Sequence, residues 1–227
     1  TYSPESPGIA RIASLVYVQE GRAMTAAKKF LGIVGSYRTG GVIDTVVSDI
    51  LDAADANGAE TDKIYLSDRH IEFCTNCREC VQPRGDERVP CFVHKDDDVN
   101  DVIDRAHAAD TLVLGAPVNL GSANALTQRF AERCIGAYYY PWGARYPVLR
   151  SKEKPRKAIL VSSSAAPAFM NTASFGSGAM QTLRTMADLL GAEVVDVVKV
   201  GLVSDPDFEV PARSRRKARE AANKLAA

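Results

Sequence analysis

Phe30-Leu31-Gly32-Ile33-Val34-Gly35-Ser36-Tyr37-Arg38-Thr39-Gly40-Gly41 passes from an apolar run into a turn of glycines and hydroxyls. A short apolar run ending in Gly-Ser is the mark of a strand buried on both faces of a parallel sheet. Val42, Ile43, Val46, Val47, Ile50 and Leu51 follow at helical spacing over 42–56. Asn57-Gly58 stops the helix, with Gly in the left-handed closing position. The same alternation continues down the chain. It predicts strands at 60–66, 111–115, 157–162 and 193–200. Helices are predicted from the N-capping carboxylates Asp96-Asp97-Asp98 to His107, over 123–135, over 177–190 before Gly191, and over 212–225. Five β–α units in sequence predict a doubly wound, five-stranded parallel sheet in three α/β/α layers.

Composition sets the outer limits. The 227 residues are 46% apolar and 25% charged, enough for one α/β domain with a real core and too apolar for global disorder. Twenty-eight Lys and Arg balance 28 Asp and Glu, which argues against a nucleic-acid partner held by phosphate neutralisation. No apolar run approaches the roughly 18 residues of a membrane span, so no membrane partner is expected. The stretch 1–28 lacks a clean period and has no signal-peptide layout. It reads as an N-terminal arm packing on the domain at 29–227 or on a partner subunit. Met24 directly precedes Thr25-Ala26-Ala27-Lys28-Lys29 and would make a natural chain start.

Ligands of open α/β sheets bind beyond the carboxyl ends of the strands. Three strand-end loops have suitable chemistry. Gly35 to Gly41 offers hydroxyls, backbone N–H groups and a helix N-terminus to a phosphate, with Arg38 adding charge. It is neither a Walker loop nor G-x-G-x-x-G. Gly115-Ala116-Pro117-Val118-Asn119-Leu120-Gly121-Ser122 follows the third strand, its Ser122 placed to cap the next helix. Ser162-Ser163-Ser164-Ala165-Ala166-Pro167 follows the fourth. A flat, polar-edged ring slotted between the last two loops would rest its phosphate tail on the first.

These loops resemble the NADPH-dependent FMN reductase group of the flavodoxin-like superfamily. The resemblance rests on Gly35-Ser36-Tyr37-Arg38, the Cys74-x-x-Cys77-x-x-Cys80 motif, and Cys91 followed by Lys95-Asp96-Asp97. It continues through Ala109-Asp110, Gly115-Ala116-Pro117-Val118 with Gly121-Ser122, and Arg133. It implies a flavodoxin-like fold, non-covalent FMN, NAD(P)H as electron donor, and a homodimer or homotetramer with flavin near the subunit interface. Ser36, Arg38 and the backbone of Thr39, Gly40, Gly41 and Val42 would hold the phosphate. Pro117, Val118, Asn119 and Gly121 would line the isoalloxazine, with Ser163 and Ser164 at its edge. Two departures stand out. Val42-Ile43 occupies the place of the group's common Asn-Thr, and Asn119 that of a Tyr.

Four of the five cysteines fall within a Cys-rich insertion at about 68–95. Cys74, Cys77 and Cys80 make a compact triplet of the kind that wraps one corner of a [4Fe–4S] cube, and Cys91 is the fourth thiol. Zinc more often takes two separated Cys-x-x-Cys knuckles. The residues leave cluster, zinc and no metal open. The resemblance extends to the superfamily's iron–sulfur flavoproteins, whose last cysteine gap is usually shorter than the ten residues here. Cytoplasmic thiols stay reduced, so a structural disulfide is the least expected state. Cys134 lies on an apolar helix face and reads as core.

The remaining candidates have plainer readings. The aromatic run Tyr138-Tyr139-Tyr140-Pro141-Trp142 would wall the flavin's substrate side, form a dimer contact, or cover its own core. His70, His94 and His107 are scattered and read as surface or capping residues. The basic residues of the last helix read as a solvated face. No Gly-x-Ser-x-Gly elbow is present, and Gly35 and Gly115 stand where a phosphoacceptor receiver needs Asp. The expectation is a cytoplasmic FMN oxidoreductase carrying electrons from NAD(P)H to a small-molecule or protein acceptor, with no catalytic side chain nominated because the flavin does the chemistry. The alternatives are a flavodoxin-type electron carrier, against which the charge balance counts, and a cofactor-free binding module.

Overall fold

The computed structural model describes residues 26–169 and 177–226, so the N-terminal arm expected at 1–28 lies outside the described residues except for its last three. Five strands form the parallel sheet: β1 (Lys29–Val34), β2 (Glu60–Tyr65), β3 (Thr111–Asn119), β7 (Arg156–Ser163) and β8 (Ala192–Val200). Their order is β2-β1-β3-β7-β8, and the chain reverses direction across the sheet between β1 and β3. The short β4 (Ser122–Ala123) turns back antiparallel onto β3, and β5 (Tyr138–Tyr139) pairs with β6 (Val148–Leu149) in a separate ribbon. Among the described residues no helix is long and apolar enough to cross a membrane.

The sequence period explains the layers. In β1, Leu31 and Ile33 face one core while Phe30 and Val34 face the other, so the continuous apolar run is buried on both sides. One face is covered by α1 (Val42–Asp55) and α5 (Ala212–Ala226), the other by α2 (Val99–Ala108), α3 (Ala125–Arg133) and α4 (Ser177–Leu189). Val46, Val47 and Ile50 of α1 are fully buried, each stabilising the layer by about 1.5–3 kcal/mol. Gly58 ends α1 at φ +84°, with Ala59 N–H bonding to the Ala54 carbonyl and Gly58 N–H to that of Asp55. The basic face of α5 is tied to its own domain: Arg215 and Arg219 pair with the buried Asp49, and Lys217 with Asp196.

Three expectations are corrected. The third strand does not stop at Gly115. Its ladder with β1 ends there, but pairing with β7 runs on through Pro117 to Ser163, because a residue without an N–H is tolerated once one neighbour has gone. Ser122 does not cap α3. It lies in β4, and the Asn124 side chain accepts the Thr127 N–H instead. Asp98 precedes α2 without a side-chain cap. Its carboxylate accepts the His70 N–H at 2.8 Å, while Asp97 accepts both the Val99 N–H that opens α2, at 3.3 Å, and the Glu72 N–H, at 2.8 Å, so one of the three acids does serve the helix end. Asp98 and part of Asp97 are thus turned to the backbone of the long loop after β2.

Candidate functional site

The loops after β1, β3 and β7 enclose a cavity of about 400 Å³, within the range of small-molecule sites. Ser36, Arg38 and Val42 line it from the first loop, Pro117, Val118 and Asn119 from the second, and Ser163 and Ser164 from the third. Eight of the twelve residues expected at the flavin site therefore meet at the cavity, and four do not: Thr39 and Gly40 form the exposed outer bend of the first loop. Gly41 is the N-cap of α1, and Gly121 sits in the β3–β4 turn outside the lining.

The first loop is held open by its neighbours. Gly35 N–H donates to the Gly115 carbonyl at 2.7 Å, and the Gly35 carbonyl accepts from Asn124 Nδ2 and Thr127 Oγ1. A Cβ at Gly35 would stand 2.2 Å from Thr127 Oγ1, so only glycine fits this approach. Asn124 thus serves twice, as cap of α3 and as a brace for the loop, and it also lines the cavity. Sequence reading missed it, because Ser122 offers an equally good cap two residues earlier.

The donors left for an anion are mostly backbone. Gly41, at the N-cap of α1, makes no side-chain cap, so the first turn of the helix presents its N–H groups outward. Arg38 is exposed beside it. Where the resembling group has polar Asn-Thr, Val42 is half-buried and Ile43 is buried in the core behind the loop. The side-chain donors are lost and the backbone donors kept. The Gly40 N–H is turned away, donating to Asp44 Oδ2 at 2.7 Å. Asp44 also accepts from Lys63 Nζ and Tyr65 Oη, each at 2.9 Å. Burial pushes the Asp44 carboxyl up, but these hydrogen bonds and the Lys63 charge outweigh it and hold it below its ordinary 3.8. Lys63 thereby neutralises a carboxylate that would otherwise repel a phosphate at the helix end. A phosphate-bearing ligand fits this arrangement.

The cysteines gather at a second place. Cys74, Cys77, Cys80 and Cys91 line one small cavity of about 20 Å³, together with His94 and Arg133. All are free thiols. Burial, and then the neighbouring Cys91, Cys77 and Cys74, push the Cys80 thiol up to about 11. Among the described residues no three His, Cys, Asp or Glu side chains converge tightly enough to hold a single metal ion. A lone zinc needs its thiolates about 2.3 Å from one point, whereas a cubane spreads them over four corners.

Side chains far apart in sequence fix this loop. Arg133 and Asp97 form an ion pair in which each side chain is 1% exposed. Arg133 also donates to the Glu72 carbonyl at 2.8 Å and to the His94 carbonyl at 3.4 Å. Burial opposes the Arg133 charge, but bonding to Asp97 prevails, and the neighbouring Cys91 also favours the charged form. Arg150, 8% exposed, donates to the carbonyls of Gly136, Gly85 and Cys80 at 2.9, 3.1 and 3.2 Å. It has no carboxylate partner among the described residues. Arg78 lies between the rings of Tyr140 and Trp142, at 3.9 and 4.1 Å from their centres, and donates to the Tyr140 carbonyl. The aromatic run therefore clasps the cysteine loop and lies outside the strand-end cavity. His94 is no surface residue: its Nε2 is buried at the cysteine cavity. Cys134 is core as expected, donating to the Phe130 carbonyl, with burial pushing its thiol up to about 12.

Comparison with known proteins agrees with this geometry. An iron–sulfur flavoprotein of Methanosarcina thermophila is 29% identical over 107 residues, 47% of this chain and 52% of that protein. The chain thus spans about half the length of the curated relatives it matches. Among solved structures, an FMN-dependent NADH-azoreductase from Bacillus anthracis, in complex with FMN, superposes with a TM-score of 0.60 at 16% identity, covering 88% of this chain and 100% of the other. An NAD(P)H:quinone oxidoreductase from Methanothermobacter marburgensis gives 0.60 at 17% identity, with the same coverage. These likenesses establish the flavodoxin-like fold. The sequence model of the NADPH-dependent FMN reductases matches residues 28–207, and the chain belongs to that family.

Proposed function

We propose that this protein is an FMN-dependent oxidoreductase that draws electrons from NAD(P)H and passes them, by way of a [4Fe–4S] cluster on Cys74, Cys77, Cys80 and Cys91, to a small-molecule or protein acceptor. FMN, when bound, supplies the hydride-accepting ring chemistry that no side chain here provides. Ser36, Arg38 and the first-turn N–H groups of α1 bind its phosphate. Pro117, Val118 and Asn119 orient the ring, and Ser163 and Ser164 offer polar groups at its edge.

One observation carries the cluster: the charge balance at the cysteine cavity. A buried guanidinium without a carboxylate is costly unless an anion lies nearby. Arg133 is neutralised by Asp97, but Arg150 meets three carbonyls, one of them that of Cys80, and the Tyr139 ring at 5.8 Å, with no carboxylate among the described residues. Four neutral thiols would leave that charge uncompensated, whereas a cluster on four thiolates is anionic and answers it. The relatives named as iron–sulfur flavoproteins support the same reading. Free, reduced cysteines suit the cytoplasm.

The test is anaerobic purification and reconstitution, followed by assay of FMN, iron and sulfide per chain and of NAD(P)H oxidation with quinone, ferric and protein acceptors. The expected protein is coloured, carries about four iron and four sulfide, and turns over. A flavin-free chain that stays iron-free after reconstitution refutes the reading.

A further inference from the structure

The cysteine cavity contains one polar atom that the protein leaves unanswered. His94 Nε2 is buried and has no hydrogen-bond partner, and His94 lines the cavity beside the four cysteines. Buried polar atoms are almost always paired, so an orphan facing a cavity marks a position where something else supplies the partner. The His94 backbone is also held in place. The Arg133 guanidinium reaches the His94 carbonyl at 3.4 Å and is itself fixed by the buried ion pair with Asp97. His94 follows Cys91 by three residues, so the segment that brings in the fourth thiol also brings in the ring.

We infer that His94 donates a hydrogen bond from Nε2–H to a sulfur of the cluster held by the four cysteines, and so sets its reduction potential. This rests on the cluster reading proposed above. Four thiolates already match the four corners of a cubane, which leaves the imidazole the part of donor. A donor to cluster sulfur favours the reduced, more negative state, so its presence raises the potential. Arg133 is then a positioning residue, acting through the His94 backbone.

The experiment compares the wild-type protein with His94→Leu and His94→Gln after anaerobic reconstitution. Leu removes the donor, while the Gln amide nitrogen reaches about as far as imidazole Nε2. Three quantities are read: iron and sulfide per chain, the cluster midpoint potential from redox titration, and the coupling of exchangeable protons to the reduced cluster by electron–nuclear double resonance. His94→Leu should keep its iron, shift to a more negative potential and lose one exchangeable-proton coupling, and His94→Gln should restore both. A fully loaded His94→Leu protein with unchanged potential and coupling overturns the inference and leaves the cluster reading standing. Loss of iron from both variants makes the ring a ligand and also overturns it. A wild-type chain that takes up no iron removes the cluster and this inference together.

Discussion

At the strand-end cavity the backbone is set by the parallel ladder, and short bonds between adjacent loops finish it: Gly35 to Gly115, and Asn124 and Thr127 to Gly35. The cysteine loop between β2 and α2 has only two single turns of 3-10 helix, at Leu66–Asp68 and Glu79–Val81. There the work falls to long side chains. Arg133 and Arg150 reach it from segments 36 to 70 residues away, and Arg78 reaches out from it to the aromatic run. On the function proposed above, these would be two ways of preparing a cofactor site. One would use regular backbone whose cost is shared with the fold. The other would use buried charge that an anionic cluster answers. Damage to the first should release flavin and spare iron, and damage to the second the reverse.

The largest expected effect is at the buried ion pair. Asp97→Ala strands Arg133 and should cost about 3–5 kcal/mol, read as a fall in thermal midpoint. Burial pushes the Asp97 carboxyl up, but hydrogen bonds from Arg133, Glu72 and Val99 hold it below its ordinary 3.8. Its stabilising contribution is therefore full above that pH and lost as pH falls further, so Asp97→Asn should flatten the acid limb of the stability curve. Next comes Arg150→Met, which leaves three carbonyls without their donor. It should cost about 3 kcal/mol and lower iron content while FMN per chain is unchanged. Equal loss of both cofactors would break the contrast.

Asn124→Ala strikes the other region. It removes a helix cap and a brace on Gly35, for about 1–2 kcal/mol, and should weaken FMN binding with iron retained. Arg38→Ala should leave stability within about 0.5 kcal/mol, as an exposed residue. Its loss of a charge-assisted phosphate contact weakens FMN by about tenfold, measured by flavin fluorescence titration.

The strand-end region was legible because its signals are local. Apolar runs, glycine turns and helical spacing lie within ten or so residues of one another, and they located all five strands and eight of the cavity residues, though not Asn124. Boundaries failed where two local rules competed, as with Pro117 inside β3 and with Ser122 against Asn124. The cysteine loop was legible as a spacing of thiols, with Lys95-Asp96-Asp97 and Arg133 marked through the family resemblance but not the contact that joins Asp97 to Arg133. Arg150, Asp97 and the orphaned His94 act across 14 to 70 residues, and a single chain carries no local mark of a contact made only when it folds. The aromatic run was conspicuous in sequence, yet its part as a clasp for Arg78 follows from tertiary placement alone.

The central claim is that one chain holds two separable cofactor sites. Quantifying FMN and iron per chain, side by side, in the reconstituted wild type, Arg38→Ala and Arg150→Met tests it most directly. The account predicts both cofactors in the wild type, iron with depleted flavin in Arg38→Ala, and flavin with depleted iron in Arg150→Met. A wild type lacking either cofactor, or an Arg38→Ala protein that keeps its full flavin, would contradict it.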